Sequence, residues 1–178
     1  MEIIVCPLNL APSVASEKGI SHAISLLDPY DRFPSLHPLT DESHLKIGVH
    51  DIDELIMGLT LPETHHVESL LTFAQSWDRS APLLVHCWAG ISRSTASAFT
   101  IACALNPEAL EIDIALALRN ASHTASPNLR IVALADQVLG RGGRMSKAVA
   151  SIGRGTFAER AEPFSIPAFY DAPATGGG

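Results

Sequence analysis

The stretch LLVHCWAGISRSTAS, residues 83–97, joins an apolar run to a run of small and apolar residues through a short loop. The run PLLVHC is typical of a strand that is buried on both faces of a parallel sheet. From residue 91 to residue 105, small and apolar residues occur on every side, which is typical of a helix buried at the centre of a domain. The stretch therefore predicts a strand, a tight loop and a helix, with Cys87 where the strand ends.

Further strands and helices are predicted on both sides of this stretch. Residues 2–8, 22–28 and 44–51 are apolar or alternating runs bounded by turn formers, and each run predicts a strand. Three more helices are predicted, one capped by Thr64, one capped by Asn106 with Pro107 at its first position, and one capped by Asn128. Strands that alternate with helices predict an α/β fold with a mostly parallel sheet. In such sheets, ligands bind beyond the carboxyl ends of the strands, which is where Cys87 lies.

The length of 178 residues fits one domain with a substantial core. We assign residues 1–150 to this domain and residues 151–178 to a C-terminal tail, because the last part is rich in Gly, Pro and Ala. Such a tail is expected to run over the surface and to be weakly ordered at its end.

The charge and the hydropathy pattern exclude several classes of protein. The formal net charge of −7 argues against binding to nucleic acid, which depends on Lys and Arg neutralising phosphates. No apolar run approaches the roughly 20 residues that a membrane span needs. The N-terminal residues lack the basic start of a secretory signal, so we expect a cytoplasmic protein. The sequence gives no indication of the oligomeric state.

The three cysteines are far apart, and they predict neither a disulfide framework nor a zinc ribbon. Cys6 lies in a short apolar run and Cys103 in a run rich in alanine, so both are expected to be small buried side chains. Cys87 differs because it stands at the start of a loop that ends on an arginine.

The segment from Cys87 to Arg93 has the spacing of an anion-binding loop. Gly90 permits an unusual backbone conformation at the middle of the loop, so that successive N–H groups can point into one hollow at the positive end of the following helix. Arg93 can hold two oxygens of a bound phosphate through its guanidinium. The same electrostatic field favours the thiolate form of a cysteine, and Ser94 could donate a hydrogen bond to the Cys87 sulfur.

The motif VHCWAGISRST resembles the signature of the protein tyrosine phosphatase superfamily, and most of all its small dual-specificity-like branch. The likeness extends more loosely over residues 20–139. It implies a mostly parallel sheet flanked by helices, with Cys87 as the nucleophile, Arg93 as the phosphate clamp and Ser94 as the group that assists release of the thiolate. The residues whose backbone the resemblance assigns to phosphate binding, together with Arg93, are Trp88, Ala89, Gly90, Ile91 and Ser92.

Two neighbours of the nucleophile have two interpretations each. By resemblance, His86 would orient Cys87 from behind through hydrogen bonds, although a buried core histidine with satisfied hydrogen bonds is an equally good interpretation. Trp88 either shapes the rim of the pocket or packs beneath it, and we favour packing.

The resemblance also implies an aspartate that protonates the leaving group. Asp51 is favoured because it directly follows a predicted strand, and Asp53 stays as the alternative because the spacing to Cys87 is longer than expected. Thiolate chemistry needs no cofactor and no metal. His65, His66 and Glu68 have no partner cluster and are better explained as a solvated helix face.

The resemblance therefore implies a protein tyrosine or dual-specificity phosphatase that forms a cysteinyl-phosphate intermediate, with a phosphorylated protein or a small phosphorylated molecule as its substrate. A phosphoinositide phosphatase is a weaker alternative, because the loop contains none of the lysines that would contact further phosphates. A sulfur-transfer or arsenate-reducing enzyme and a catalytically inactive phosphate-binding module are further alternatives. The choice between phosphotyrosine and phosphoserine or phosphothreonine depends on the depth of the pocket.

Overall fold

The computed structural model describes residues 1–172. Its centre is a five-stranded sheet in the order β3-β2-β4-β1-β5. The strands are β1 (Glu2–Pro7), β2 (His22–Leu27), β3 (His44–Gly48), β4 (Leu83–Cys87) and β5 (Phe164–Pro167). The first four are parallel to one another, and β5 runs antiparallel to β1 at the edge of the sheet. The predicted mostly parallel α/β sheet is confirmed.

Six helices flank the sheet. They are α1 (Ala11–Lys18), α2 (Thr64–Ser76), α3 (Arg93–Leu105), α4 (Glu111–Ala121), α5 (Leu129–Val138) and α6 (Arg144–Ile152). Within residues 1–172, no helix is both long enough and apolar enough to cross a bilayer.

The two faces of the sheet bury different sets of residues. Alternate residues of a strand point to opposite faces, so Val85 packs into the larger cluster with α2–α6, whereas Leu84 packs into the smaller cluster with α1. The helix α3 lies at the centre of the larger cluster, and its residues from Arg93 to Cys103 are buried. This burial explains why its sequence is apolar or small on every side.

Two predicted helix starts are wrong. Asn106 does not cap the next helix: its side-chain amide donates to the backbone oxygens of Ala102 and Ala168, and its side-chain oxygen accepts from the backbone N–H of Tyr170. These bonds tie the end of α3 to the C-terminal segment, and α4 begins only at Glu111.

The N-cap of α2 is Glu63, one residue before the predicted Thr64. The Glu63 carboxylate accepts from the backbone N–H of His66, and the His66 ring accepts from the backbone N–H of Glu63 at 3.0 Å. This reciprocal capping box satisfies two N–H groups at the helix end, and it gives the HHVE segment a structural role.

Part of the segment assigned to the tail belongs to the sheet. The boundary at residue 150 falls inside α6, and the chain beyond α6 crosses the carboxyl ends of the strands before it pairs with β1 as β5. Neither α6 nor β5 is predicted by the sequence patterns. The expected weak order of the last residues concerns positions 173–178, which lie outside the described residues.

Candidate active site

The loop between β4 and α3 lies at the carboxyl edge of the sheet, as the sequence predicts. It begins at Cys87 and ends at Arg93, the first residue of α3. Gly90 has a φ of +72°. A Cβ at this position would lie 2.8 Å from the backbone carbon of Cys6 and from the nitrogen of Pro7. Only glycine therefore fits here, both for its conformation and for the close approach of the loop to β1.

The carbonyl groups of the loop point outward. The oxygens of Trp88, Ala89, Ile91 and Ser92 accept from the backbone N–H groups of Leu8, Ala161, Ser126 and Asn128 respectively, at 2.9–3.3 Å. Within residues 1–172, the N–H groups of these four loop residues have no protein acceptor. The N–H of a peptide group points away from its carbonyl, so the N–H groups that follow these carbonyls, those of Ala89, Gly90, Ser92 and Arg93, face the other side of the loop. Gly90 donates to the Cys87 sulfur, and the others form a surface suited to an anion.

The Cys87 sulfur lies at the base of this loop. It is 3.1 Å from the Ser94 hydroxyl and accepts from the Gly90 N–H at 3.3 Å. Cys87 is only 1% exposed. The first turn of α3 carries no acidic residue and no side-chain cap, and the positive end of this helix lies beside the sulfur.

The other two cysteines have a different environment. Cys6 and Cys103 are fully buried, as the sequence predicts, and burial raises the pKa of each thiol to about 12. Both thiols are therefore protonated at neutral pH and poor nucleophiles.

Arg93 is held by one edge of its guanidinium and leaves the other edge free. The Nη1 atom donates to the Asp28 carboxylate and to the backbone oxygen of Val49, each at 2.6 Å. Two bonds use both hydrogens of Nη1. The Nε atom is buried and has no hydrogen-bond partner within the described residues, and it lies 4.0 Å from Oδ2 of Asp51. The free Nε and Nη2 edge has the geometry that binds two oxygens of a phosphate.

The two candidate acids lie in different places. Asp51 accepts from the Ser92 hydroxyl at 2.6 Å and from the side-chain amide of Asn128 at 3.0 Å, both through Oδ1. Oδ2 is the oxygen that faces Arg93. Asp53 accepts instead from the backbone N–H of Arg130 at 3.3 Å, in the first turn of α5.

A buried hydrogen-bonded group lies behind Cys87. The Ser25 hydroxyl is 2.6 Å from Nε2 of His86 and 2.7 Å from Nε2 of His44. A hydroxyl has one hydrogen, so Ser25 donates to one ring and accepts from the other. His86 is thus fully buried directly before the nucleophile in the chain, and its Nδ1 atom has no hydrogen-bond partner within the described residues. Burial lowers the pKa of both His44 and His86 to about 4.

These lowered pKa values predict that acid destabilises the fold. Unfolded histidine titrates near pH 6.5, so between about pH 6.5 and pH 4 the unfolded chain binds protons that the folded chain does not. The free energy of unfolding should therefore fall as the pH is lowered through this range, by up to about 1.4 kcal/mol per pH unit for each histidine. Urea denaturation at a series of pH values measures this slope.

A matched pair of variants tests whether His44 contributes to the dependence of the unfolding free energy on pH. His44→Gln can still bond to Ser25 but does not titrate, so its slope should be shallower by one histidine. The control is His123→Gln, which removes an exposed histidine that has no contact with Ser25. Equal slopes for wild type and His44→Gln would contradict the assignment.

Trp88 does not pack beneath the pocket, so the favoured interpretation of packing is wrong. Its side chain is 47% exposed, and the guanidinium of Arg160 lies 4.6 Å from the ring centroid. The physical reason is that the C-terminal segment, which the sequence leaves as a tail, passes beside the loop and supplies this cation–π contact.

Several site residues are missed by the sequence patterns. Asp28 could have been found, since it is the last residue of a predicted strand and the carboxyl ends of parallel strands share one edge. The sequence patterns give no local signal for three other residues, because each contacts the site from a distant part of the chain. Ser25 bonds to His86, which is 61 residues away, and His44 contacts His86 through Ser25 from 42 residues away. Asn128 bonds to Ser92, which is 36 residues away. Among residues 1–172, no group of His, Cys, Asp and Glu side chains could hold a metal ion.

No protein family model matches the sequence, and no curated protein matches it. Solved structures do match. DUSP15 is 21% identical, with 87% of this chain and 92% of that chain covered and a TM-score of 0.58. A mouse protein described as a dual specificity phosphatase, in complex with zinc tungstate, is 18% identical, with 80% and 84% covered and a TM-score of 0.57. A human DUSP28 variant is 15% identical, with 79% and 98% covered and a TM-score of 0.57. The chain therefore has the dual specificity phosphatase fold.

Proposed function

We propose that the protein is a cysteine-dependent phosphatase that hydrolyses phosphate monoesters of proteins, of the tyrosine or dual-specificity type. One observation supports the proposal most: loop N–H groups without a protein acceptor, the free edge of Arg93 and the Cys87 sulfur all lie at the start of α3, where together they could surround a bound anion. A phosphate has the size and the charge that this arrangement stabilises. The shared fold supports the same function, and tungstate in the mouse structure is an oxyanion of similar shape to phosphate.

The proposed reaction has two steps. In the first, the Cys87 thiolate attacks phosphorus, the S–P bond forms, the bond to the leaving oxygen breaks, and Asp51 gives its proton to that oxygen. In the second, water attacks phosphorus while Asp51 takes its proton, and the thiolate leaves. Ser94 stabilises that thiolate through its hydroxyl. Arg93 and the loop amides stabilise the charge on the phosphate oxygens in both transition states.

A turnover assay tests the function directly. The protein should hydrolyse phenyl phosphate and phosphotyrosine peptides without any added metal, and phosphate or tungstate should inhibit it competitively. If it binds these oxyanions but never turns over an aryl phosphate, the protein is an inactive phosphate-binding module.

The choice between the two acids gives a second prediction. Asp51→Asn keeps the hydrogen bonds to Oδ1 but cannot donate a proton, so it should lower the rate by about 100- to 10,000-fold. The loss should be largest for poor leaving groups such as alkyl phosphates and smallest for 4-nitrophenyl phosphate. Rates over a series of aryl phosphates measure this dependence.

Asp53→Asn is the control, because Asp53 bonds to the start of α5 and not to the loop. We expect its rates and its dependence on the leaving group to resemble those of the wild type. If Asp53→Asn shows the steep dependence and Asp51→Asn does not, Asp53 is the acid.

A phosphoinositide substrate has less support. The loop segment from Trp88 to Ser92 contains no lysine, and the net charge of −7 disfavours an anionic lipid surface. A cytoplasmic location stays part of the proposal. It suits a catalytic thiol, because the reducing cytosol keeps cysteines from forming disulfides.

A further inference from the structure

A cavity of about 620 Å³ opens beside the phosphate hollow. Asp51 and Ser92 lie in its wall, and these two residues share the 2.6 Å hydrogen bond at the edge of the loop. Cys87 and Arg93 do not line it. The cavity therefore begins where the phosphate hollow ends, on the side of the candidate acid.

The far wall of the cavity is the C-terminal segment 153–158, and it is fixed in place. The Gly155 N–H donates to the Ser126 hydroxyl at 2.9 Å, and the Thr156 N–H donates to the His123 oxygen at 2.8 Å. Arg119 donates to the Gly153 oxygen at 2.8 Å. A Cβ on Gly155 would lie 2.5 Å from the backbone of Thr124, so the segment packs directly on the loop before α5.

The walls of the cavity are mostly apolar. Phe157 is 92% exposed and Leu129 is 52% exposed, and Ile91 and Pro127 also line the space. Exposed side chains of this size are stabilised when an apolar partner covers them, by about 25 cal/mol per Å² of buried apolar area. The cavity is thus suited to an apolar group.

The charged side chains of the wall do not favour an anion. Asp51 and Asp53 oppose a single cation, Arg154. A second phosphate would face two carboxylates, which disfavours it.

The loop that follows Asp53, a residue of the cavity wall, exposes three further apolar side chains. Leu55 is 81% exposed, Ile56 is 48% exposed and Met57 is 98% exposed. Residues 49–62 contain no Lys or Arg that could contact an anionic lipid surface. A patch of this kind beside a site is typical of contact with a polypeptide.

We propose that this cavity binds a large apolar side chain adjacent to the phosphorylated residue of a polypeptide substrate. The inference rests on the proposed function and deepens it. In an in-line displacement the leaving oxygen lies opposite the Cys87 sulfur and beside the acid, so the organic part of the substrate leaves the hollow on the side of Asp51. The cavity on that side is the space that the neighbouring side chain enters.

A set of phosphotyrosine peptides tests the inference. The peptides differ only in the residues on either side of phosphotyrosine, which are leucine, serine or glutamate, and a fourth peptide carries a second phosphate. We expect kcat/KM for the leucine peptide to exceed that of the serine peptide by about tenfold or more, mainly through KM. The glutamate and doubly phosphorylated peptides should show no gain.

Variants of the wall assign the preference to the cavity. Phe157→Ala and Leu129→Ala should each reduce the ratio of kcat/KM between the leucine and serine peptides by about threefold or more. The ratio is taken within each variant, so a change in the amount of folded protein does not affect it. Phe169→Ala is the matched control, because Phe169 is an exposed aromatic residue that follows β5 and does not line the cavity.

Other results would overturn the inference. These are equal rates for all the peptides, a preference for glutamate or for a second phosphate, and a preference for leucine that survives both wall variants. Faster hydrolysis of a phosphoinositide in phosphatidylcholine vesicles than of any peptide would overturn it as well. Hydrolysis of phenyl phosphate distinguishes a failure of this inference from a failure of the proposed function. If phenyl phosphate is hydrolysed, the protein is a phosphatase and only the role of the cavity is wrong. If phenyl phosphate is not hydrolysed, the proposed function is wrong as well.

Discussion

Replacing Cys87 with serine should abolish the hydrolysis of aryl phosphates, with a loss on the order of 10,000-fold or more. A serine hydroxyl is not ionised at neutral pH, and Asp51 must carry a proton in the first step and so cannot accept one from serine, which prevents that step. The N–H groups of the loop and the free edge of Arg93 are unchanged by the substitution. Binding of tungstate or phosphate, measured by calorimetry, should therefore be retained while turnover is lost.

The control for this variant is Cys103→Ala, which removes a thiol that is fully buried and distant from the loop. It should lower stability and leave kcat/KM close to the wild-type value. Turnover by Cys87→Ser comparable to that of the wild type would refute the two-step reaction.

The burial of Cys87 adds a test of access. At 1% exposure the sulfur is reached only through the hollow above it. Iodoacetate carries a carboxylate, so it should enter this hollow and alkylate Cys87 alone, and phosphate should protect against it. Mass spectrometry of the intact protein counts the alkylated sites. If Cys87 stays unmodified in the folded protein, the sulfur is sealed from solvent and the proposed chemistry is not possible.

The stretch around Cys87 could be predicted because its constraints are local. An apolar strand, a glycine at the crowded point of the loop and a buried helix each leave a pattern in neighbouring residues, and Gly90 shows this with its φ of +72° against β1. The start of α4 was mispredicted because Asn106 is a good cap by type, and only the distant contact with Tyr170 reveals that its side-chain oxygen is already used.

The rest of the site could not be predicted because its contacts are distant in the chain. The backbone oxygen of Ala89 accepts from the N–H of Ala161, and that of Trp88 accepts from the N–H of Leu8. Both hydrogen bonds depend on the order of the strands in the sheet. The segment after α6 shows the same difficulty. Its Gly, Pro and Ala composition indicates a tail, yet β5 pairs with β1 and Arg160 covers Trp88, since short edge strands need little periodic sequence.

Replacing Arg93, the proposed phosphate clamp, should cause the second large loss of activity. Arg93→Lys keeps the positive charge but lacks the planar fork that binds two oxygens, so kcat/KM for phenyl phosphate should fall by about 1,000-fold or more. The binding of tungstate should weaken in this variant, whereas Cys87→Ser retains it. Tungstate binding as tight as in the wild type would show that Arg93 does not contact the anion.

Asp28 should act only through Arg93, as a positioning residue. Its carboxylate holds Nη1 at 2.6 Å and so turns the Nε and Nη2 edge toward the hollow. Asp28→Asn alone should therefore lower kcat/KM, but it should cause no further loss when Arg93 is already replaced by lysine. The effects of neighbouring residues that act as a unit are not additive. Asp31→Asn is the control, since Asp31 is exposed in the same loop and pairs with no arginine within residues 1–172. Equal losses from Asp28→Asn in both backgrounds would mean that Asp28 acts independently of the clamp.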